Sequence, residues 1–195
     1  MTTFYICRHG QTQYNQQGRL SGWTDTPLTD EGVRNAQSTV AKLTGLHFDR
    51  IISSDLGRAF VTAYLITRGL GINTEIERNQ ALREVSYGDL VGMATAKATA
   101  EYGVDKITNF IAPNGESLAQ MQARVIEFLN ELDDHNPSQT IMLISHEGVI
   151  SAINTYFSGT DLGTHMDTKS YPHDYVGKFT IENGKIGSFA DCTGE

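Results

Sequence analysis

The sequence is poor in the residues that staple small folds or build metal sites. Its 195 residues include two cysteines, Cys7 and Cys192, at opposite ends of the chain, which make neither a metal-ligand pair nor a disulfide framework. Cys7 lies in an apolar run and reads as a buried thiol, a usage compatible with a reducing compartment. The six histidines show no close metal-ligand spacing, so no metal is expected. No apolar stretch approaches the ~18–20 residues that span a bilayer. Met-Thr-Thr leads straight into a short apolar run with neither a charged leader nor a secretory core. A soluble, cytoplasmic protein is expected. Positive charge is also scarce: 15 Lys and Arg face 23 Asp and Glu, and the formal charge of -8 argues against nucleic acid or an anionic membrane as general partners. An enzyme for anionic substrates would have to gather its few cations in one place.

Repeats, low-complexity tracts and linkers are missing as well, and the length fits one domain, 1–195. Phe4 to Cys7 reads as a short buried strand ending at Arg8-His9-Gly10, followed by a polar loop to Pro27. Thr29 opens a helix to about Leu43, with Asp30 and Glu31 in its first turn. Arg50 to Ser53 is a second buried strand leading through Arg58 into a helix that ends near Gly69. A third strand is expected over Asn73 to Arg78, a loop over Leu82 to Gly88 and a helix over Met93 to Tyr102. Gly103 to Gly115 reads as irregular. Ser117 starts a helix to about Asp133, Thr140 to Ile144 is a buried strand, and Val149 to Phe157 is helical. Tyr175 to Ile181 and Lys185 to Phe189 pair as a hairpin across Asn183-Gly184. Such alternation specifies an α/β fold with a largely parallel sheet. Ligands of these sheets bind beyond the carboxyl ends of the strands. Arg8-His9, Arg58 and His146 all fall there.

The ordered motifs are more specific than any one of them. They run Arg8-His9-Gly10-Gln11-Thr12 with Asn15, then Gly22-Trp23-Thr24-Asp25-Thr26-Pro27-Leu28-Thr29. Ser53-Ser54-Asp55-Leu56-Gly57-Arg58-Ala59 follows, then Leu82-Arg83-Glu84 with Gly88 and Gly92, and Ser145-His146. Over about residues 4–150 this set resembles the histidine phosphatase superfamily, the phosphoglycerate mutase-like proteins. The resemblance implies a three-layer α/β/α sandwich around a mostly parallel mixed sheet, with a small insertion at about 88–116 over the site. It also implies a small phosphorylated substrate, no cofactor and a phosphohistidine on His9. Arg8, Arg58, Asn15 and His146 would hold the phosphoryl oxygens, and Glu84 would protonate the leaving alcohol and then activate water. Ser21 and Gly22 would lie near the substrate, with Gln11 and Thr12 in a secondary position.

The residue chemistry agrees. Phosphoryl transfer needs cations around the equatorial oxygens, an in-line nucleophile and an acid for the leaving oxygen. Arg8 and Arg58 offer forked donors suited to phosphate. Arg58 sits in the first turn of a predicted helix, where the dipole disfavours a cation, which makes sense if an anion binds there. His9 must be neutral to attack, and neighbouring arginines favour that form. Its second ring nitrogen is expected to donate to a backbone carbonyl and so fix the tautomer. His146 is expected to be charged beside the phosphate. For Glu84, a phosphate dianion raises the pKa and the arginines lower it, and the sequence leaves the outcome open. Tyr87 either lines the pocket or packs beneath the loop. Trp23, Pro27 and Leu28 fix the loop, and His47, His135, His165 and His173 read as solvated or packing residues.

Two other activities compete with hydrolysis. Cofactor-dependent mutases carry Glu-Arg-His-Tyr-Gly where this chain has Glu84-Val85-Ser86-Tyr87-Gly88, and their following lysine corresponds to Thr95. The paired arginines of their insertion have no counterpart between Gly88 and Ser117. A non-catalytic phosphate-binding relative would lack the nucleophile or the acid, and both are present. One departure concerns the last motif. Phosphatase members commonly read Ser/Thr-His-Gly-Gly and then an arginine, whereas His146 here is followed by Glu147, Gly148 and later Ser151. At ~4 Å and an effective dielectric of ~20, a carboxylate facing phosphate costs on the order of 4 kcal/mol. Glu147 should therefore point elsewhere or discriminate against doubly anionic substrates.

Overall fold

The apolar runs that read as buried strands form the centre of one sheet. The computed structural model describes residues 1–104, 108–135, 138–182 and 185–192. In chain order the elements are β1 (Thr2–Arg8), α1 (Gln13–Gln16), α2 (Asp30–Leu43), β2 (Arg50–Ser54), α3 (Gly57–Gly69) and β3 (Ile76–Asn79). Then come α4 (Thr95–Tyr102), α5 (Leu118–His135), β4 (Thr140–Ser145), α6 (Glu147–Ser158), α7 (Leu162–Thr168), β5 (Val176–Glu182) and β6 (Lys185–Asp191). Short 3-10 turns cover Gln80–Leu82 and Gly88–Leu90. The six strands lie in the order β3-β2-β4-β1-β5-β6. Four of them run parallel, β5 is antiparallel to β1, and β6 is antiparallel to β5. The fold is the expected mixed, mostly parallel α/β sheet. The Asn183-Gly184 turn of the expected hairpin lies outside the described residues.

A strand sends alternate side chains to opposite faces, and the two cores follow that rule. Phe4, Ile6, Ile141 and Leu143 face Met121, Val125 and Leu129 of α5 and Val149, Ile150 and Ile153 of α6. Tyr5, Cys7, Met142 and Ile144 face Ala36 and Leu43 of α2 and Ala59, Ala63 and Ile66 of α3. Each fully buried Ile or Leu contributes about 1.5–3 kcal/mol, so both helical layers are firmly held. Burial also pushes the Cys7 thiol up to about 12, which leaves it an inert hydrophobe.

The helices start where the capping chemistry says. Thr29 accepts a hydrogen bond from the Gly32 amide, and Ser117 accepts one from Gln120. The sequence reading misplaced β3, which runs from Ile76 to Asn79 and not from Asn73 to Arg78. This polar edge strand has no apolar pattern of its own, and pairing of Ile51 with Ile76 and Ser54 with Asn79 sets its register. A smaller cluster of Leu20, Leu90, Ala98, Val104 and Ala112 covers one end of the sheet. There the backbone of Gly18 to Leu20 bonds to that of Gly92 to Thr95. Among the described residues, no helix is long and apolar enough to cross a membrane.

Candidate active site

The carboxyl ends of the parallel strands deliver the site. β1 ends at Arg8 and hands on to His9, β2 leads to Arg58 in the first turn of α3, and β4 hands on to His146, which precedes α6. The His9 amide donates to the Ser145 carbonyl at 2.9 Å, so the two central strands stay joined past their ends. The turn beyond His9 can hold only glycine. A Cβ on Gly10 would lie 2.3 Å from the Gly32 carbonyl oxygen, and one on Gly32 would lie 2.2 Å from that of Gln11. The loop after His9 is thereby pressed against the first turn of α2.

His9 is buried, and its imidazole is fixed from both sides. Nδ1 lies 2.8 Å from the Gly10 carbonyl oxygen, which can only accept, so Nδ1 carries the proton. Nε2 then holds the lone pair and accepts from Arg58 Nε at 3.3 Å. Burial, Arg58, Arg8 and His173 hold the His9 pKa well below 6.5. Nε2 is thus a neutral ring nitrogen held at the cavity wall beside a guanidinium. His146, expected to be charged beside a phosphate, is fully buried. Burial, followed by Arg58 and His9, also holds its pKa well below 6.5. Its Nε2 is 2.9 Å from Ser54 Oγ, and its ring stands 5.0 Å from that of His9.

The two arginines are divided among several acceptors. Arg58 gives Nη2 to the Gly22 carbonyl at 2.8 Å, and Nη1 to the Thr24 carbonyl and to Asp25, both at 3.2 Å. Asp25 also accepts from the Gly57 and Arg58 amides. The anion that balances the start of α3 is therefore this carboxylate of the protein itself. Arg8 donates through Nη1 to the Tyr171 carbonyl and pairs through Nη2 with Glu147 at 2.9 Å. Glu147 accordingly faces the site. Arg8 Nε, Ser21 Oγ and His146 Nδ1 are buried without a hydrogen-bond partner among the described residues. Buried polar atoms without partners are rare, and Arg8 Nε and Ser21 Oγ belong to residues that line one cavity, which marks a place for a polar ligand.

Glu84 follows the Gln80–Leu82 turn, and its backbone carbonyl accepts from Trp23 Nε1 at 2.7 Å and Arg124 Nη2 at 3.0 Å. Arg124 also donates to the Ala81 carbonyl and pairs with Glu116, which accepts from the Ser86 amide. The Glu84 carboxyl accepts from the Val85 and Gly148 amides at 3.0 and 3.2 Å. Burial raises its pKa despite these bonds and Arg58. A Cβ on Gly148 would lie 2.1 Å from Glu84 Oε1. Gly148→Ala should thus displace the carboxyl and lower kcat about 100-fold, the usual cost of a misplacement near 1 Å. Esters with poor leaving groups should lose most; equal loss for all esters would separate Gly148 from Glu84.

One cavity of about 130 Å³ is lined by Arg8, His9, Asn15, Ser21, Gly22, Arg58, Glu84 and Tyr87. His146, whose ring stands 5.0 Å from that of His9, is not among the lining residues. Gln11 and Thr12 lie outside the lining: Gln11 Oε1 accepts from Thr29, and Thr12 is tied to Asn15 as the cap of α1. Tyr87 lines the cavity and also packs against two core clusters, so both of its readings hold. Arg19, Leu20, Thr95 and Glu147 complete the wall, and the sequence reading assigned none of the first three a site role. Arg19 and Leu20 sit between Asn15 and Ser21, which was the available signal. His173, read as a packing residue, places its ring 5.6 Å from that of His9 and its Nδ1 3.0 Å from the His9 carbonyl oxygen. Among the described residues, no group of three or more His, Cys, Asp or Glu side chains is arranged to hold a metal ion.

The profile of the histidine phosphatase superfamily (branch 1) matches residues 4–186. A Bacillus subtilis (strain 168) protein named as the uncharacterized phosphatase PhoE is 32% identical over 161 residues, covering 83% of this chain and 80% of its own. A 2,3-bisphosphoglycerate-dependent phosphoglycerate mutase of Cytophaga hutchinsonii is 30% identical over 161 residues, covering 78% and 76%. Among solved structures, Bacillus stearothermophilus YhfR superposes with a TM-score of 0.85 at 26% identity, covering 96% of this chain and 95% of that one.

Proposed function

Because the chain belongs to the histidine phosphatase superfamily and is an enzyme of that type, we propose that it hydrolyses a small phosphomonoester through a phosphohistidine on His9. The observation that carries this reading is the state of His9. It is neutral, it is oriented by the Gly10 carbonyl, and its Nε2 lies beside the Arg58 guanidinium at the cavity wall.

In the first step the Nε2 lone pair attacks phosphorus, and the bond from phosphorus to the ester oxygen breaks. Glu84, whose pKa burial raises so that the protonated form is favoured over that of an ordinary glutamate, gives its proton to that oxygen, and the alcohol departs. The Gly10 carbonyl stabilises the positive charge that the phosphorylated imidazole acquires at Nδ1–H. In the second step ionised Glu84 takes a proton from water, the resulting oxygen attacks phosphorus, and the P–N bond breaks. Phosphate leaves, and His9 and Glu84 return to their starting forms. Arg8 and Arg58 supply the charge that phosphoryl oxygens require, so the reaction needs no metal. In this reading residues 1–195 act as one domain, with Leu90, Ala98, Val104 and Ala112 of an insertion at about 88–116 packed against Leu20 beside the site.

The second reading is a phosphoglycerate mutase, favoured by the relatives that bear that name. A panel of phosphorylated metabolites assayed after exhaustive chelation separates the readings. Phosphate release should survive chelation undiminished. Activity lost to chelator and restored by magnesium or zinc, or transfer between phosphoglycerates without phosphate release, would refute the proposal.

A further inference from the structure

Glu147 is the second carboxylate of the cavity wall beside Glu84, and the two steps above make no use of it. Both of its oxygens are engaged. Oε2 pairs with Arg8 Nη2 at 2.9 Å, while Oε1 accepts from Ser170 Oγ at 2.9 Å and the Tyr171 amide at 3.0 Å. It is also the first residue of α6, where the helix dipole favours a negative charge. A loop distant in sequence, a buried arginine and a helix terminus thus fix this carboxylate in place.

Charge balance in the wall gives that position a consequence. Three guanidiniums, Arg8, Arg19 and Arg58, face two carboxyls, Glu84 and Glu147. With Glu84 carrying the proton it must donate, the wall residues alone sum to two positive charges, matched by one phosphate dianion, and Asp25 pairs with Arg58 from outside the wall. A second anionic group on the same substrate would find Arg58 shared with Asp25, Arg8 held by Glu147, and a fixed like charge beside it. Arg19 is the remaining cation, and its Nη1 is bonded to the Gly92 carbonyl at 2.6 Å.

We propose that Glu147 is a specificity-determining residue that restricts the site to phosphomonoesters whose leaving alcohol carries no second anionic group. The inference rests on the phosphatase reading for its turnover assay, but it can be read from binding alone. Glycerol 3-phosphate and 3-phosphoglycerate share a three-carbon skeleton and one phosphoryl group, and differ in a hydroxymethyl against a carboxylate. Their kcat/KM values are compared in the wild type and in Glu147→Gln. Their affinities are compared by calorimetry in His9→Ala and in the His9→Ala/Glu147→Gln double variant.

The wild type should favour glycerol 3-phosphate by about tenfold or more, and Glu147→Gln should narrow that ratio, chiefly by improving 3-phosphoglycerate. The same narrowing should appear in the calorimetry. A ratio unchanged by Glu147→Gln, with both esters weakened together, would reduce Glu147 to a support for Arg8 and overturn the proposal. A wild type that prefers 3-phosphoglycerate would overturn it too, and would give the second anion to Arg19. Selective binding without hydrolysis of either ester would remove the phosphatase reading and keep this one. Hydrolysis of both esters without selectivity would do the reverse.

Discussion

Replacing His9 with alanine should lower kcat on the order of 10⁶-fold, the scale of loss when a covalent nucleophile is removed. The argument is geometric. Nε2 of His9 is a neutral ring nitrogen whose tautomer is fixed by Gly10 and whose other neighbour is a guanidinium. His146 is no substitute in this geometry, because its Nε2 is bonded to Ser54 Oγ and its ring is not among those lining the cavity. Enzyme quenched during turnover of a ³²P-labelled ester should keep its label in alkali and lose it in acid, as phosphohistidine does. Stable label in His9→Ala would place the nucleophile on another residue.

Glu84→Gln should divide substrates by leaving group. An alkyl phosphate needs a proton on its departing oxygen, and the substitution removes general acid catalysis worth about 10²–10⁴-fold. A nitrophenyl ester expels a stable anion, so phosphorylation of His9 should be little affected, while dephosphorylation slows for want of a base. A burst of nitrophenol followed by slow turnover is expected. The pH profile gives a second reading. The raised pKa keeps the wild-type acid protonated to higher pH than an ordinary glutamate, and alkyl phosphorylation should fall as pH climbs through that pKa. The mutant should lack that limb. Glutamine also cannot accept from both the Val85 and Gly148 amides, so a modest stability loss will accompany it. Equal slowing of the phosphorylation step for both esters would take the acid role from Glu84.

The sheet was legible where burial leaves a local mark. β1, β2 and β4 are apolar runs ending at charged or polar residues, and α5 shows helical spacing from Leu118 to Leu132. β3 was misplaced and α7 went unforeseen for the same reason. Ile-Glu-Arg-Asn and the seven residues from Leu162 to Thr168 carry too little pattern, and contacts with distant segments decide their form. The motif residues were found because they are contiguous or ordered along the chain. His173 and Thr95 join the site only when the sheet closes and the 92–95 segment pairs with 18–20, so spacing gives no hint of that, whereas Arg19 is signalled by its place between Asn15 and Ser21. Glu147 stood out as a departure, but whether it faced the phosphate site depended on where residues 170–171 would lie.

The strand that carries Arg8 to His9 has no partner nearby in the chain. Thr3 pairs with Thr140 and Thr2 with Ile181, so both sides of β1 wait for segments made much later. Closing such long loops and pairing parallel strands across them are slow steps in folding. Until β4 and β5 arrive, Phe4-Tyr5-Ile6-Cys7 is an apolar strand with two open edges, the form of segment most prone to pair with another copy. During synthesis the future reactive centre is therefore the part of the chain most exposed to aggregation. Conditions that slow translation between β1 and β4 should lower the soluble yield without changing the stability of the molecules that fold.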